Sequence, residues 1–274
     1  SSSGGLWVVA SGSGSESGDI YSTGSLVSDE NVTINYVIPS TNGYCSASVN
    51  GVTFTVNKAV TVASNSTNTS AICEGNTKSL TGNSPAAGEG ISWTKVSGSG
   101  SISLDPDIYS TSDINANESV NIRYTIQNGA CSSTDDVSFT VNASPTANAG
   151  SDQTGSSTCG VTQVTLAGNN PSVGTGLWSI ESGSGGTLGN ASSYNSTFDG
   201  VAGSSYTLRW TVSNSPCTAS TDELDVTFNQ NPEVSAAGSD QTGSATCEVT
   251  QVTLAGNNPS VGTGLWSIES GSGG

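Results

Sequence analysis

Histidine and methionine are missing from the 274-residue sequence, and only five cations occur: Lys58, Lys78, Lys95, Arg123 and Arg209. Without histidine the usual proton shuttle and the commonest nitrogen ligand for a metal are both gone. Five cations against 22 acidic residues leave a net charge of −17. That excludes nucleic acid as a partner, because phosphate recognition needs clustered lysine and arginine. Only 32% of the residues are hydrophobic, and no run approaches the roughly 18 apolar residues that span a bilayer. Paired carboxylates occur only in stretches that read as loops, and the cations do not recur in register. The chain therefore reads as a non-enzyme without a resident cofactor.

What is present is a repeat. GTGLWSIESGSGG, Gly174 to Gly186, returns unchanged at Gly262 to Gly274, with weaker copies starting at Gly4 and Gly88. Its tryptophan recurs at Trp7, Trp93, Trp178 and Trp266, about 86 residues apart each time. A fixed period of this size decides architecture. Four segments follow: residues 1–57 are the rear of one repeat, 58–142 and 143–229 are complete repeats, and 230–274 are the front of another. Ser1 falls in mid-repeat and no leader precedes it, so the chain is expected to be a window on a longer array.

Glycine, serine, threonine and asparagine separate short alternating runs, which favours strands and turns and leaves no helical period. In the third segment TANAG (Thr146 to Gly150) reads as a first strand, VTQVTLAG as a second and GLWSI as a third. SYTLRWTVS alternates strictly, sending Tyr206, Leu208, Trp210 and Val212 to one face and Thr207, Arg209 and Thr211 to the other. DELDVTFN does the same through Leu224, Val226 and Phe228. Val120, Ile122, Tyr124 and Ile126 are the matching inward set of the second segment, and Val32, Ile34, Tyr36 and Ile38 that of the first. The pattern predicts an all-β chain: a tandem array of antiparallel β-sandwiches with six or seven strands each, strung as beads on short linkers. Trp7, Trp93, Trp178, Trp266, Tyr36, Tyr124 and Trp210 are the expected core anchors, being the largest apolar groups on inward positions.

Six cysteines form two classes. Cys73, Cys159 and Cys247 precede the second strand; Cys45, Cys131 and Cys217 sit in the loop before the last. No spacing suggests zinc, so disulfides in an oxidising, extracellular setting are expected. Pairing within repeats, Cys73–Cys131 and Cys159–Cys217, is favoured as the simplest staple for a thin core, adding about 3–4 kcal/mol each. Cys45 and Cys247 would then find partners outside the window. Nearest-neighbour pairing would give Cys45–Cys73, Cys131–Cys159 and Cys217–Cys247. A seven-strand sandwich would instead put the two loops at opposite poles, so that a first-loop cysteine meets the following repeat, as in Cys73–Cys217.

Acidic residues cluster at AGSDQT (Asp152, Asp240) and in the last hairpin (Asp222, Glu223, Asp225; Asp135, Asp136). Asp152, Asp240, Asp222 and Asp225 are candidate calcium ligands, since calcium gathers several carboxylate oxygens. Arg123 and Arg209, at matching outward positions, are expected to pair with the acidic hairpin.

The text AGSDQT…C…VTLAGNNPSVGTGLWSIESGSG…YTLRWTVSNSPC…DVTF resembles the PKD-like and immunoglobulin-like tandem repeats of giant surface adhesins and filament proteins of Bacteroidota, exported by type IX secretion. The resemblance implies β-sandwich beads at the bacterial cell surface, acting as stalk, spacer or adhesin. Partners would be neighbouring repeats of the same chain, with surface glycans or other cells beyond. Two further readings are a lectin-like or calcium-dependent module array acting by avidity, and a self-assembling extracellular fibre.

Overall fold

A strand that alternates apolar and polar residues is stable only with one face covered, and here a second sheet supplies the cover. The computed structural model describes residues 4–40 and 45–271. The chain divides into two compact units, Ser1–Ala143 and Ser144–Gly274.

In the first unit, the first segment holds β1 (Leu6–Ser11), β2 (Ser15–Ser17), β3 (Ile20–Ser22), β4 (Glu30–Ile38) and β5 (Ser48–Val56). One antiparallel sheet is ordered β1-β4-β5, and β2 and β3 form a separate hairpin. The second segment holds β6 (Ile72–Cys73), β7 (Thr77–Ser79), β8 (Gly90–Ser97), β9 (Ser101–Leu104), β10 (Asp107–Ser110), β11 (Glu118–Asn128) and β12 (Cys131–Asn142). Its sheets are β7-β10-β9 and β6-β12-β11-β8. Both contribute to one core, in which Trp93, Tyr109, Ile122, Tyr124, Ile126 and Phe139 are buried.

The second unit holds β13 (Gln163–Thr165), β14 (Thr175–Ser182), β15 (Thr187–Leu188), β16 (Thr197–Asp199), β17 (Ser205–Ser213) and β18 (Ser220–Thr227). The sheets are β13-β16-β15 and β14-β17-β18. Trp178, Phe198, Tyr206, Leu208, Trp210, Leu224 and Phe228 fill its core. With seven and six strands in their two complete segments, the units are immunoglobulin-like antiparallel β-sandwiches.

The repeated tryptophan occupies equivalent places. Trp7 lies across from Tyr36, Trp93 from Tyr124 and Trp178 from Trp210, each as a cross-strand pair. Their ring centres are 5.0, 4.5 and 5.0 Å apart, all tilted. Such pairs add about 0.5–1.5 kcal/mol beyond the area they bury.

Three anchor positions and one strand differ from expectation. Trp266 is 52% exposed, and no strand is assigned among the described residues of the fourth segment. The residues that cover Trp178, on β17 and β18, have no counterparts in residues 230–274. Trp7 and Tyr36 are only half-buried, and Ile38 is exposed. The reason is visible at β3: it pairs only with β2, whereas the matching β10 pairs with β9 and also with β7. Trp7, Tyr21, Ile34, Val52 and Phe54 therefore line an open cleft, while Trp93, Tyr109, Ile122, Val137 and Phe139 at the same register are covered. TANAG, finally, is not a strand. Its backbone N–H groups are taken by side chains, as described below.

Among the described residues Lys78 is the one charged residue that is buried as a whole. It stands on β7 across from Tyr109, where the third segment has Val164 across from Phe198. The side chain is buried, with Nζ donating to the Ser70 carbonyl at 2.8 Å and lying 4.9 Å from the Phe139 ring centre. Burial pushes its pKa below the ordinary 10.5. The unfolded chain then binds this proton more tightly than the folded one, so stability rises with pH in the window just below 10.5. Lys78→Val is expected to stabilise the second segment by about 1 kcal/mol at pH 7, because an apolar residue of the other repeat's shape replaces a desolvated charge. It should also flatten the pH dependence up to about pH 9.5, below which tyrosine is largely neutral. Thermal melts of both chains from pH 7 upward are the check; a lower midpoint for the variant at pH 7 would contradict the account.

Candidate functional site

Two clefts are lined by residues of the first segment, Trp7, Asp19 and Val52 among them; in the complete repeats the cysteines and the groups that fix the two poles of each sandwich are the features to build from. Cys131 opens β12 opposite Asn128, and Asn142 closes that strand opposite Cys73. The 12-residue strand spans roughly 37 Å at ~3.4 Å per residue. Cys73 and Cys131 are thus at opposite poles of one sheet, and a disulfide tolerates a Cα separation of at most about 7 Å. In the third segment Cys159 bridges Asn229, past the end of β18, while Cys217 precedes its start. The eight residues of β18 alone span roughly 24 Å.

The favoured pairings within repeats, Cys73–Cys131 and Cys159–Cys217, are therefore incorrect. Cys131, Cys159 and Cys247 are free thiols. Cys73 and Cys217 are disulfide-bonded residues. Nearest-neighbour pairing fails as well, since Cys131 and Cys159 are unbonded. The strand count decides the matter: an odd number, five (β7 to β11, or β13 to β17), lies between the first-loop and the last-loop cysteine and carries the chain from one pole to the other.

The acidic hairpin does structural work. Asp222 Oδ2 accepts the Ala149 N–H at 2.8 Å and Ser220 Oγ accepts the Ala147 N–H at 3.0 Å. In the second segment Asp135 Oδ2 accepts from Asn65 N–H at 2.7 Å and Ser133 Oγ from Ala63 N–H at 2.9 Å. The opening stretch of each repeat is thus held along the last strand by side chains, not by a backbone ladder. Asp152 accepts the Asp225 N–H at 2.9 Å, and Asp225 accepts the Thr207 hydroxyl at 2.8 Å. Asp222 lies on the inward face of β18 with Leu224, and Asp225 on the outward face. The structure so brings Asp152 to Asp225 and separates both from Asp222. Asp240 is exposed in the fourth segment, and among the described residues no three His, Cys, Asp or Glu side chains are grouped to hold a metal.

Sequence reasoning missed an asparagine. Asn83, Asn169 and Asn257 each follow a glycine at the end of the second-strand stretch and read as turn residues. Each one clamps the opening stretch of its repeat. Asn169 Oδ1 accepts from Asn148 N–H at 2.8 Å, and its Nδ2 donates to the Thr146 carbonyl at 2.9 Å. Asn83 does this to Ser64 and Val62, and Asn257 to Ala236 and Val234. One amide side chain thereby imitates a neighbouring strand. Asn169 Oδ1 also accepts the indole N–H of buried Trp210 at 3.1 Å. Asn169→Ala leaves these groups without partners and is expected to cost about 2–3 kcal/mol, read from the urea midpoint of the second unit. A loss under about 0.5 kcal/mol would rule out the clamp.

The two arginines pair as the sequence suggests. Arg123 forms a bidentate pair with Asp136 at 2.8 and 2.9 Å, which holds that carboxyl below its ordinary range. Arg209 contacts Glu223 at 2.6 Å and Glu181 at 2.8 Å. All are partly exposed, so each pair contributes at most about 1 kcal/mol.

The described chain is a set of immunoglobulin-like sandwich repeats whose recurring polar groups close poles and edges. No family model and no curated protein matches the sequence. Among solved structures, it is similar to protocadherin gamma B2 extracellular cadherin domains 3–6, with a TM-score of 0.37, 11% identity, and coverage of 83% of this chain and 69% of that one. The titin I-band fragment I67–I69 gives a TM-score of 0.37 and 11% identity over 74% of this chain and 75% of that one. The Drosophila OTK extracellular domains 3–5 give 0.35 and 6%, over 72% and 70%. Among the described residues no helix is long and apolar enough to cross a membrane.

Proposed function

We propose that the chain is the structural and adhesive repeat region of a long bacterial cell-surface or secreted filament, serving as stalk, spacer or adhesin, with repeat boundaries at 57/58, 142/143 and 229/230. The observation that carries this reading is how the two complete repeats use their residues. Apart from Tyr194, which is exposed, their large aromatic side chains lie in their own cores, and their recurring polar residues close their own backbones. Nothing that recurs in register is left over for chemistry. Near-identity between Ser151–Gly186 and Ser239–Gly274, which differ only where Ser157 becomes Ala245 and Gly160 becomes Glu248, suits a part whose contribution is additive length or multivalency. The disulfide suits an extracellular location.

Electron microscopy of the native protein is the test. Rods whose length grows in proportion to repeat number are expected; a compact body would refute the stalk. A glycan array, run with and without calcium, separates adhesin from spacer: a calcium-dependent hit would favour a recognition module.

A further inference from the structure

We propose that the open cleft of the first segment is a strand-acceptor groove, and that its occupant is an extended, lysine-bearing strand of another polypeptide. The same five residues, DIYST, stand at Asp19–Thr23 and at Asp107–Thr111. In the second segment they carry a strand on each side, since β10 pairs with β9 and with β7. Flanking backbone bonds extend the β7 side: Leu80 N–H donates to the Asp107 carbonyl at 2.9 Å, and Thr111 N–H to the Asn76 carbonyl at 3.2 Å. In the first segment β3 pairs with β2, and no strand among the described residues takes the edge that β7 takes. What β7 covers is therefore laid bare. Tyr109 and Phe139 meet edge to face with ring centres 5.3 Å apart, and Tyr21 and Phe54 do the same at 5.7 Å. Phe139 is 3% exposed and Val137 8%, against 37% for Phe54 and 48% for Val52. A strand edge beside exposed apolar side chains takes up an extended peptide: main-chain bonds give affinity and alternate side chains give specificity. Further along, Leu80 joins the second segment's core and Gly82 packs against Tyr124, whose counterpart Tyr36 lines the second cleft.

Charge selects the side chain at the centre of that strand. Lys78 stands in the middle of β7, opposite Tyr109, with Nζ 4.9 Å from the Phe139 ring centre. A strand in the same register on β3 sets its central side chain opposite Tyr21 and over Phe54. One difference favours a cation there more strongly. Glu16 of β2 lies opposite Tyr21, where Ile102 of β9 lies opposite Tyr109. Glu16 lines the cleft together with Asp19, whose Oδ1 accepts the Trp7 indole N–H at 3.0 Å. Two carboxylates beside an aromatic face suit an ammonium group, and the chain's net charge of −17 adds to the attraction. Ile102 gives Lys78 no such counter-charge, so valine is the better residue in the second segment and lysine the better one here.

The groove is built from residues of the first segment and does not depend on the stalk reading, so either can fail alone. The isotope-labelled 274-residue chain is titrated with the peptide GNTKSLTGN, a copy of Gly75–Asn83, and followed by NMR. Saturable shifts of the β3 amides and of the Trp7 indole N–H are expected. A Lys78→Val version of the peptide should bind about fivefold more weakly, and a Lys78→Glu version more weakly still. Glu16→Ile in the chain should abolish the preference for lysine over valine; Glu16 is exposed, so the substitution leaves the fold in place. Absence of shifts at β3, an equal response to a scrambled peptide, or equal binding of the lysine and valine peptides to the native chain overturns the proposal. Tighter binding of a copy of Thr250–Asn257, which has Val252 at the lysine's place, would make the occupant a second copy of this chain and overturn it too.

Discussion

Trp210→Ala is expected to be the most damaging single substitution in the second unit, at about 3–5 kcal/mol. The indole is fully buried, pairs with Trp178 at 5.0 Å and donates to Asn169. It also packs directly over Gly176, leaving no room there for a Cβ. A domain of this size has only about 4–13 kcal/mol in all. The thermal transition of the second unit should drop by roughly 20 °C, while that of the first stays in place. Trp266→Ala is the matched control: that side chain is half-exposed, and its loss should move the midpoint by no more than a degree or two. Equal effects for the two substitutions would refute the assignment of cores.

Much of this was legible in the residues. Alternation in Tyr206 to Val212 and in Val120 to Ile126 named the buried face, because the period of a strand is two and the face is set once one residue is placed. The tryptophan repeat named equivalent strands. Arg123 and Arg209 found the acidic hairpin because neighbouring strands hold outward groups side by side. TANAG was misread for a physical reason. Small residues in an extended stretch look like a strand, but Ser220, Asp222 and Asn169 supply the partners that a strand would supply. Asp222 and Asp152, two of the residues that read as calcium ligands, each accept a backbone N–H.

The amino-acid order alone determined the all-β class, the repeat length, the inward residues and the two kinds of cysteine, since each follows from short-range periodicity and spacing. Which cysteines are bonded, and whether Trp266 is a core residue, was decided only by tertiary structure. Whether two residues lie at the same pole depends on how many times the chain crosses the sandwich between them, and whether an indole is covered depends on strands far away in sequence.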